Sequence, residues 1–242
     1  MCTVTLVPLS NNDFILSSNR DEAPIRKALK PEFYNYKSTE LLYPKDKQSE
    51  GTWIGLSEHK RLICLLNGAF EAHLKQAKYR HSRGVVVKDF LISKNLKNTI
   101  DDYNLNDIEP FTLVIVEWKD KLSFFEFIWD GQQKHFNQLP LEPKIWSSST
   151  LYNESMKNER KEWFNKFVLN KNINSDSMFD FHTSAGNENK DYGVIMDRGF
   201  VKTTSIARIE KENKNVIMRY YDLNNNSHHY KYLNKKASVI DE

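Results

Sequence analysis

Two stretches in the middle of the chain, FTLVIVEW (111–118) and LSFFEFIW (122–129), are separated only by the polar KDK. Both are dense in β-branched and aromatic residues, so the short connection makes them an antiparallel strand pair, the strongest in the chain. The same signal opens the sequence: CTVTLVP (2–8) and FILSSN (14–19) flank the turn-rich SNND. It returns at TWIGL (52–56) and RLICLL (61–66) around SEHK, and again at FVKTTSIARI, NVIMRYYDL and HHYKYL in the last third. Helical periodicity falls between these runs. SRGVVVKDFLISK starts with a Ser cap and places apolar residues at Val86, Val87, Phe90 and Leu91. NESMKNERKEWFNKFVLN repeats them at Met156, Trp163, Phe167 and Val168, and a short helix is expected after Ser175. The segment around Pro24, Pro31 and Pro44 lacks period and reads as a long surface loop. Hairpins first, helices in the middle and hairpins last predict an α+β domain over residues 1–242, with two packed antiparallel sheets and helices outside.

Composition narrows the function. With 35 basic and 32 acidic residues the charge is too balanced for a polyanion partner, so no nucleic acid is expected. No apolar run reaches the roughly 18 residues of a membrane helix, and nothing at the N-terminus resembles a secretory signal, so a cytoplasmic location is expected. The two cysteines, Cys2 and Cys64, then read as free thiols rather than a disulfide. Walker, Rossmann and His-Glu-x-x-His patterns are absent, as is metal-ligand spacing; no cofactor and no metal are expected. His73, His81, His182, His228 and His229 are assigned to the surface, and Trp53 and Trp118 to the core or a pocket wall.

Cys2 stands directly behind the start methionine. If Met1 is removed, the new α-amine belongs to the same residue as the thiol, and its reference pKa of about 7.7–8.0 lets a useful fraction accept the thiol proton. Asn19, Arg20, Asp21 and Glu22 end the strand antiparallel to the one that Cys2 begins, and a hairpin brings the two ends together. Arg20 supplies the positive charge that a thiolate needs.

Cys2 followed by a hydrophobic strand and then NRDE resembles the NRDE family, also called the Transport and Golgi Organization family. EGTWIGL at 50–56 is similar to the family's Gly-Gly-Thr-Trp-Leu-Gly element, with Glu50 in place of the first glycine. LLNGAF lies where the family carries its Thr-Asn segment, and SRG at 82–84 matches the start of its first helix. IWSSSTLYN and VKTTSIARI are similar to later elements. The resemblance implies an N-terminal nucleophile hydrolase fold, a four-layer αββα sandwich, and a distant likeness to bile-salt hydrolases and penicillin V acylases.

By position the resemblance implies Cys2 as nucleophile, Asp21 as the group that holds its amine and Asn67 as the oxyanion donor. Arg20, with Asn19, Trp53 and Ser148, is assigned to a small amide or carboxylate-bearing ligand. Ser147, Ser148 and Ser149 replace the family's Ser-Asn, which removes the usual second oxyanion ligand. Arg26 and Arg83 are assigned either to an anion or to local anchoring. Three functions stay open: a hydrolase cleaving an acyl or linear amide, a carrier of haem or lipid using the same pocket, and a purely structural hairpin anchor.

Overall fold

The computed structural model describes residues 3–170 and 172–234. The chain runs through β1 (Thr3–Pro8), β2 (Phe14–Glu22), β3 (Ala28–Tyr36), β4 (Thr39–Asp46), β5 (Ile54–Ser57) and β6 (Arg61–Asn67). It continues through helices α1 (Arg83–Leu91) and α2 (Leu96–Asp102), then β7 (Phe111–Glu117), β8 (Ser123–Trp129), β9 (Lys134–Leu139) and β10 (Lys144–Ser147). Helices α3 (Glu154–Asn170) and α4 (Ser175–Ser184) follow, and β11 (Lys202–Glu212), β12 (Asn215–Asp222) and β13 (Ser227–Tyr232) end the described chain.

The strands form two antiparallel sheets, one ordered β10-β1-β2-β11-β12-β13 and the other β3-β4-β5-β6-β7-β8-β9. Val4, Leu6, Phe14 and Leu16 project from the first sheet into a core shared with the second. The opposite face of the first sheet, carrying Val7 and Ile15, is covered by Phe164 of α3 and by Met178 and Phe181 of α4. Helix α1 lies outside the second sheet, where the fully buried Arg61 ties its C-terminal end down by donating to the carbonyls of Phe90 and Ser93 at 2.5 and 2.8 Å. The layering is therefore helix, sheet, sheet, helix, as the order of hairpins and helices predicts.

One expectation is corrected. The proline-containing segment expected as a loop forms β3 and β4. Its prolines are tolerated because β3 is an edge strand and its register with β4 breaks between Leu29 and Glu32, where Pro31 and Pro44 need give no ladder hydrogen bond.

Candidate active site

Strand pairing fixes the site. Thr3 of β1 lies opposite Asn19 of β2, and Asp21 lies opposite Thr203 of β11. Side chains alternate along a strand, so Arg20 points between the sheets while Asn19 and Asp21 point into the helix layer. Met1 and Cys2 lie outside the described residues; the peptide bond to Thr3 ties Cys2 to this end of β1 by sequence alone.

Behind the sheet, Asp21 is 3% exposed. Its Oδ2 accepts from the Tyr152 hydroxyl at 2.8 Å and its Oδ1 from the Thr203 hydroxyl at 2.7 Å. The Tyr152 ring has the Arg160 guanidinium 4.0 Å and the Arg198 guanidinium 5.6 Å from its centre. Arg160 is fully buried on α3 and donates through Nη2 to the Thr3 hydroxyl. Asn19 is equally enclosed: its Nδ2 donates to the carbonyls of His182 and Val194 at 3.0 and 2.6 Å. That leaves Asn19 Oδ1 as an acceptor for His182 Nδ1–H at 2.6 Å, so Nε2 is the acceptor facing the Thr5 hydroxyl at 2.6 Å. Burial, with Arg160 and Arg208 nearby, pushes His182 down to about 3, which matches the neutral ring that this hydrogen bonding requires.

Between the sheets the same strand end borders a cavity of about 160 Å³. Arg20 Nη2 and Arg26 Nε each reach Asp46 Oδ2 at 2.9 Å, and Arg26 also meets Glu22 at 3.2 Å. Burial alone would raise the Asp46 carboxyl, but the Ser49 amide and the charges of Arg26 and Arg20 hold it below its ordinary 3.8. The Arg20 guanidinium sits 4.9 Å from the Trp53 ring centre, and Arg83 pairs with Glu109 at 3.1 Å. Trp53 Nε1 is buried and meets no partner among the described residues. Gly84 lets α1 begin directly against Thr52, because a Cβ there would stand 2.8 Å from the Thr52 backbone. Ser82 caps the helix, accepting from the Gly84 amide at 3.0 Å. Glu50 holds a left-handed backbone, φ 55°, which is the conformation that glycine supplies at least cost.

Asn67 ends β6 on the wall shared by this cavity and a second of about 320 Å³. Its carbonyl accepts from the Ser148 hydroxyl at 2.7 Å, and its side-chain amide is without a hydrogen bond among the described residues. Gly68 follows at φ 82° and turns the chain under Ser149.

The model of the Transport and Golgi organisation 2 family matches residues 1–236. The chain belongs to that family. No curated protein matches the sequence. A variant of conjugated bile acid hydrolase from Clostridium perfringens has a similar structure at 11% identity, TM-score 0.60, over 98% of this chain and 94% of that one. The N-acylethanolamine-hydrolyzing acid amidase ortholog of Caenorhabditis elegans is similar at 9% identity, TM-score 0.59, over 86% and 92%. Penicillin V acylase from Agrobacterium tumefaciens is similar at 9% identity, TM-score 0.53, over 97% and 87%. At such identities the likeness establishes the N-terminal nucleophile hydrolase fold.

Within this Transport and Golgi organisation 2 chain, three separated motifs meet at one cavity: Thr52 and Trp53, Asn67, and Ser82 with Arg83 and Gly84. Arg20 joins them, but its charge is already engaged by Asp46. Two residues assigned to the ligand are engaged within the protein. Asn19 spends its amide on His182 and the backbone behind the sheet, and the hydroxyl proton of Ser148 goes to the Asn67 carbonyl. His182, assigned to the surface, is fully buried. Cys64 is a core thiol whose burial pushes it up to about 12. Asp46, Tyr152, Thr203 and Glu109 were not singled out from the sequence; each acts through a partner distant in the chain, for which spacing carries no signal. No three His, Cys, Asp or Glu side chains converge as a metal site among the described residues, and no helix there is long and apolar enough to cross a membrane.

Proposed function

We propose that the chain is an amidohydrolase that cleaves an acyl or linear amide through Cys2 once Met1 has been removed. The observation that carries this reading is Asp21, a buried carboxylate held by Tyr152 and Thr203 at the strand end beside the start of β1. A carboxylate fixed there suits a cationic or hydrogen-bonding terminal amine.

In the proposed reaction the amine takes the Cys2 thiol proton, and sulfur attacks the amide carbon. The Asn67 side-chain amide donates to the oxyanion as the C–O bond lengthens, a contribution worth about 3 kcal/mol in comparable sites. The proton passes to the leaving nitrogen, the C–N bond breaks, and water then hydrolyses the thioester to a carboxylate and the free thiol. Ser148 fixes the Asn67 backbone, and Arg20 with Trp53 forms the wall against which the substrate lies. Carriage of haem or lipid in the same cavity draws less support, since its lining is dominated by Arg20, Arg26, Arg83, Glu22, Asp46 and Glu109 rather than by apolar groups.

Hydrolysis of a panel of N-acyl amides tests the reading. Cys2→Ala is expected to abolish turnover and Cys64→Ala to leave it intact; equal turnover by wild type and Cys2→Ala contradicts the mechanism.

A further inference from the structure

A separate groove of about 710 Å³ opens on the far side of Arg20, where the edge strands β3 and β13 come together. Lys231 joins these edges through Glu32 at 2.7 Å. The groove floor contains Thr204 and Tyr220, both nearly fully buried, and its walls carry Lys27, Lys47 and Lys202. This concentration of positive charge stands out in a chain whose formal net charge is only +3.

None of these three lysines has an ion pair among the described residues, and the carboxylates nearby are committed elsewhere. Asp46 serves Arg20 and Arg26, while Glu22 serves Arg26. Asp222, the carboxylate on the groove wall, accepts from the backbone amides of Asn224 and Asn225 at 3.0 and 3.1 Å and from the Asn225 side chain at 2.7 Å. Lys27 and Lys47 also face each other across the end of the β3–β4 ladder: Ala28 pairs with Asp46, and the Lys47 amide donates to the Lys27 carbonyl at 3.1 Å. Like charges brought together just past the end of such a ladder repel, and an anion between them would relieve that repulsion.

We propose that this groove is a binding site for a phosphate-bearing ligand, with Lys27, Lys47 and Lys202 supplying the charge that meets a phosphate dianion. Ammonium groups act as mobile point charges and suit a multiply charged phosphate. The groove volume lies in the range of small-molecule sites. Arg20 and Arg26 line both the groove and the cavity beside Asn67, so a ligand here adjoins the proposed active site. The inference does not depend on Cys2 being a nucleophile.

Calorimetric titration of the full chain with pyrophosphate and with AMP, and sedimentation with phosphatidylcholine vesicles carrying phosphatidic acid, test it and separate a soluble phosphate from a lipid headgroup. Saturable binding in either arm is expected, weakening about tenfold with Lys27→Ala or Lys47→Ala and vanishing in the triple alanine variant. Lys97→Ala, on α2, is expected to bind as wild type. Ligand-free Lys47→Ala is expected to melt no lower than wild type, since it removes a repulsion. No saturable binding in any arm up to millimolar ligand, or a triple variant that binds like wild type, overturns the proposal.

Discussion

The two faces of β2 solve the problem of buried polar groups differently. Toward the second sheet, Arg20 lies in a network of full charges with Asp46, Arg26 and Glu22 that borders a cavity. Toward the helices, Asn19 is enclosed with a neutral histidine, and Asp21 is held by two hydroxyls. The charged network has redundancy, because Asp46 keeps Arg26 if Arg20 is lost. The helix side is held by hydrogen bonds to neutral groups far away in sequence, among them the carbonyls of His182 and Val194 and the hydroxyls of Tyr152 and Thr203. Rigidity therefore lies behind the sheet and adaptability in front of it, the division that the proposed nucleophile and ligand roles call for.

Asp21→Ala should show the largest effect. It removes the carboxylate that accepts from the buried Tyr152 and Thr203 hydroxyls and should cost about 3 kcal/mol in chemical denaturation. Arg20→Ala should cost about half as much, since Asp46 stays paired; equal losses would break the contrast between the faces. His182→Ala removes the donor to Asn19 Oδ1 and should cost about 2–3 kcal/mol.

The same histidine predicts a pH dependence. Its folded pKa of about 3 lies below the ordinary 6.5, so in that interval the unfolded chain binds a proton that the folded protein refuses. Stability should therefore decline as pH falls below 6.5, with a slope approaching about 1.4 kcal/mol per pH unit from this group. Asp46 contributes in a lower window: its depressed carboxyl stabilises above 3.8, and that contribution is lost as pH falls through its folded value. Denaturant midpoints from pH 7 to about 2 separate the two, and His182→Gln should flatten the upper part of the curve. An unchanged slope in that variant would assign the effect to another group.

Smaller changes sharpen the account of the cavity wall. Ser148→Ala should cost about 1 kcal/mol by leaving the Asn67 carbonyl with one fewer donor. Glu50→Gly should be neutral or stabilising by up to about 1 kcal/mol in thermal melts, since it relieves a left-handed backbone at a position where it gives up only an exposed pair with Lys45. A larger loss would mean that the Glu50 side chain does more than that exposed pairing shows.

Much of the layering was legible because it follows from local pattern. The β1–β2, β5–β6 and β7–β8 hairpins join apolar, β-branched or aromatic runs by short polar turns, and Ser82 caps α1 as its spacing predicts. The β3–β4 pair was hidden by prolines that an edge bulge accommodates. The site was legible in part. Arg20, Trp53 and Asn67 do meet at one cavity, but Tyr152 reaches Asp21 across 131 residues and His182 reaches Asn19 across 163, and no window of sequence reports such pairings. Asn19 illustrates a related point: in a strand, neighbours in a motif face opposite layers, so four consecutive polar residues do not line one face.

The central claim is a nucleophile at Cys2 served by Asp21, and intact mass spectrometry of the purified protein with and without a thiol-acylating probe tests it most directly. The account predicts loss of Met1 and a single modification at Cys2 that is faster than at the buried Cys64 and slowed in Asp21→Asn. Retained Met1 together with a Cys2 that reacts no faster than Cys64 would contradict it.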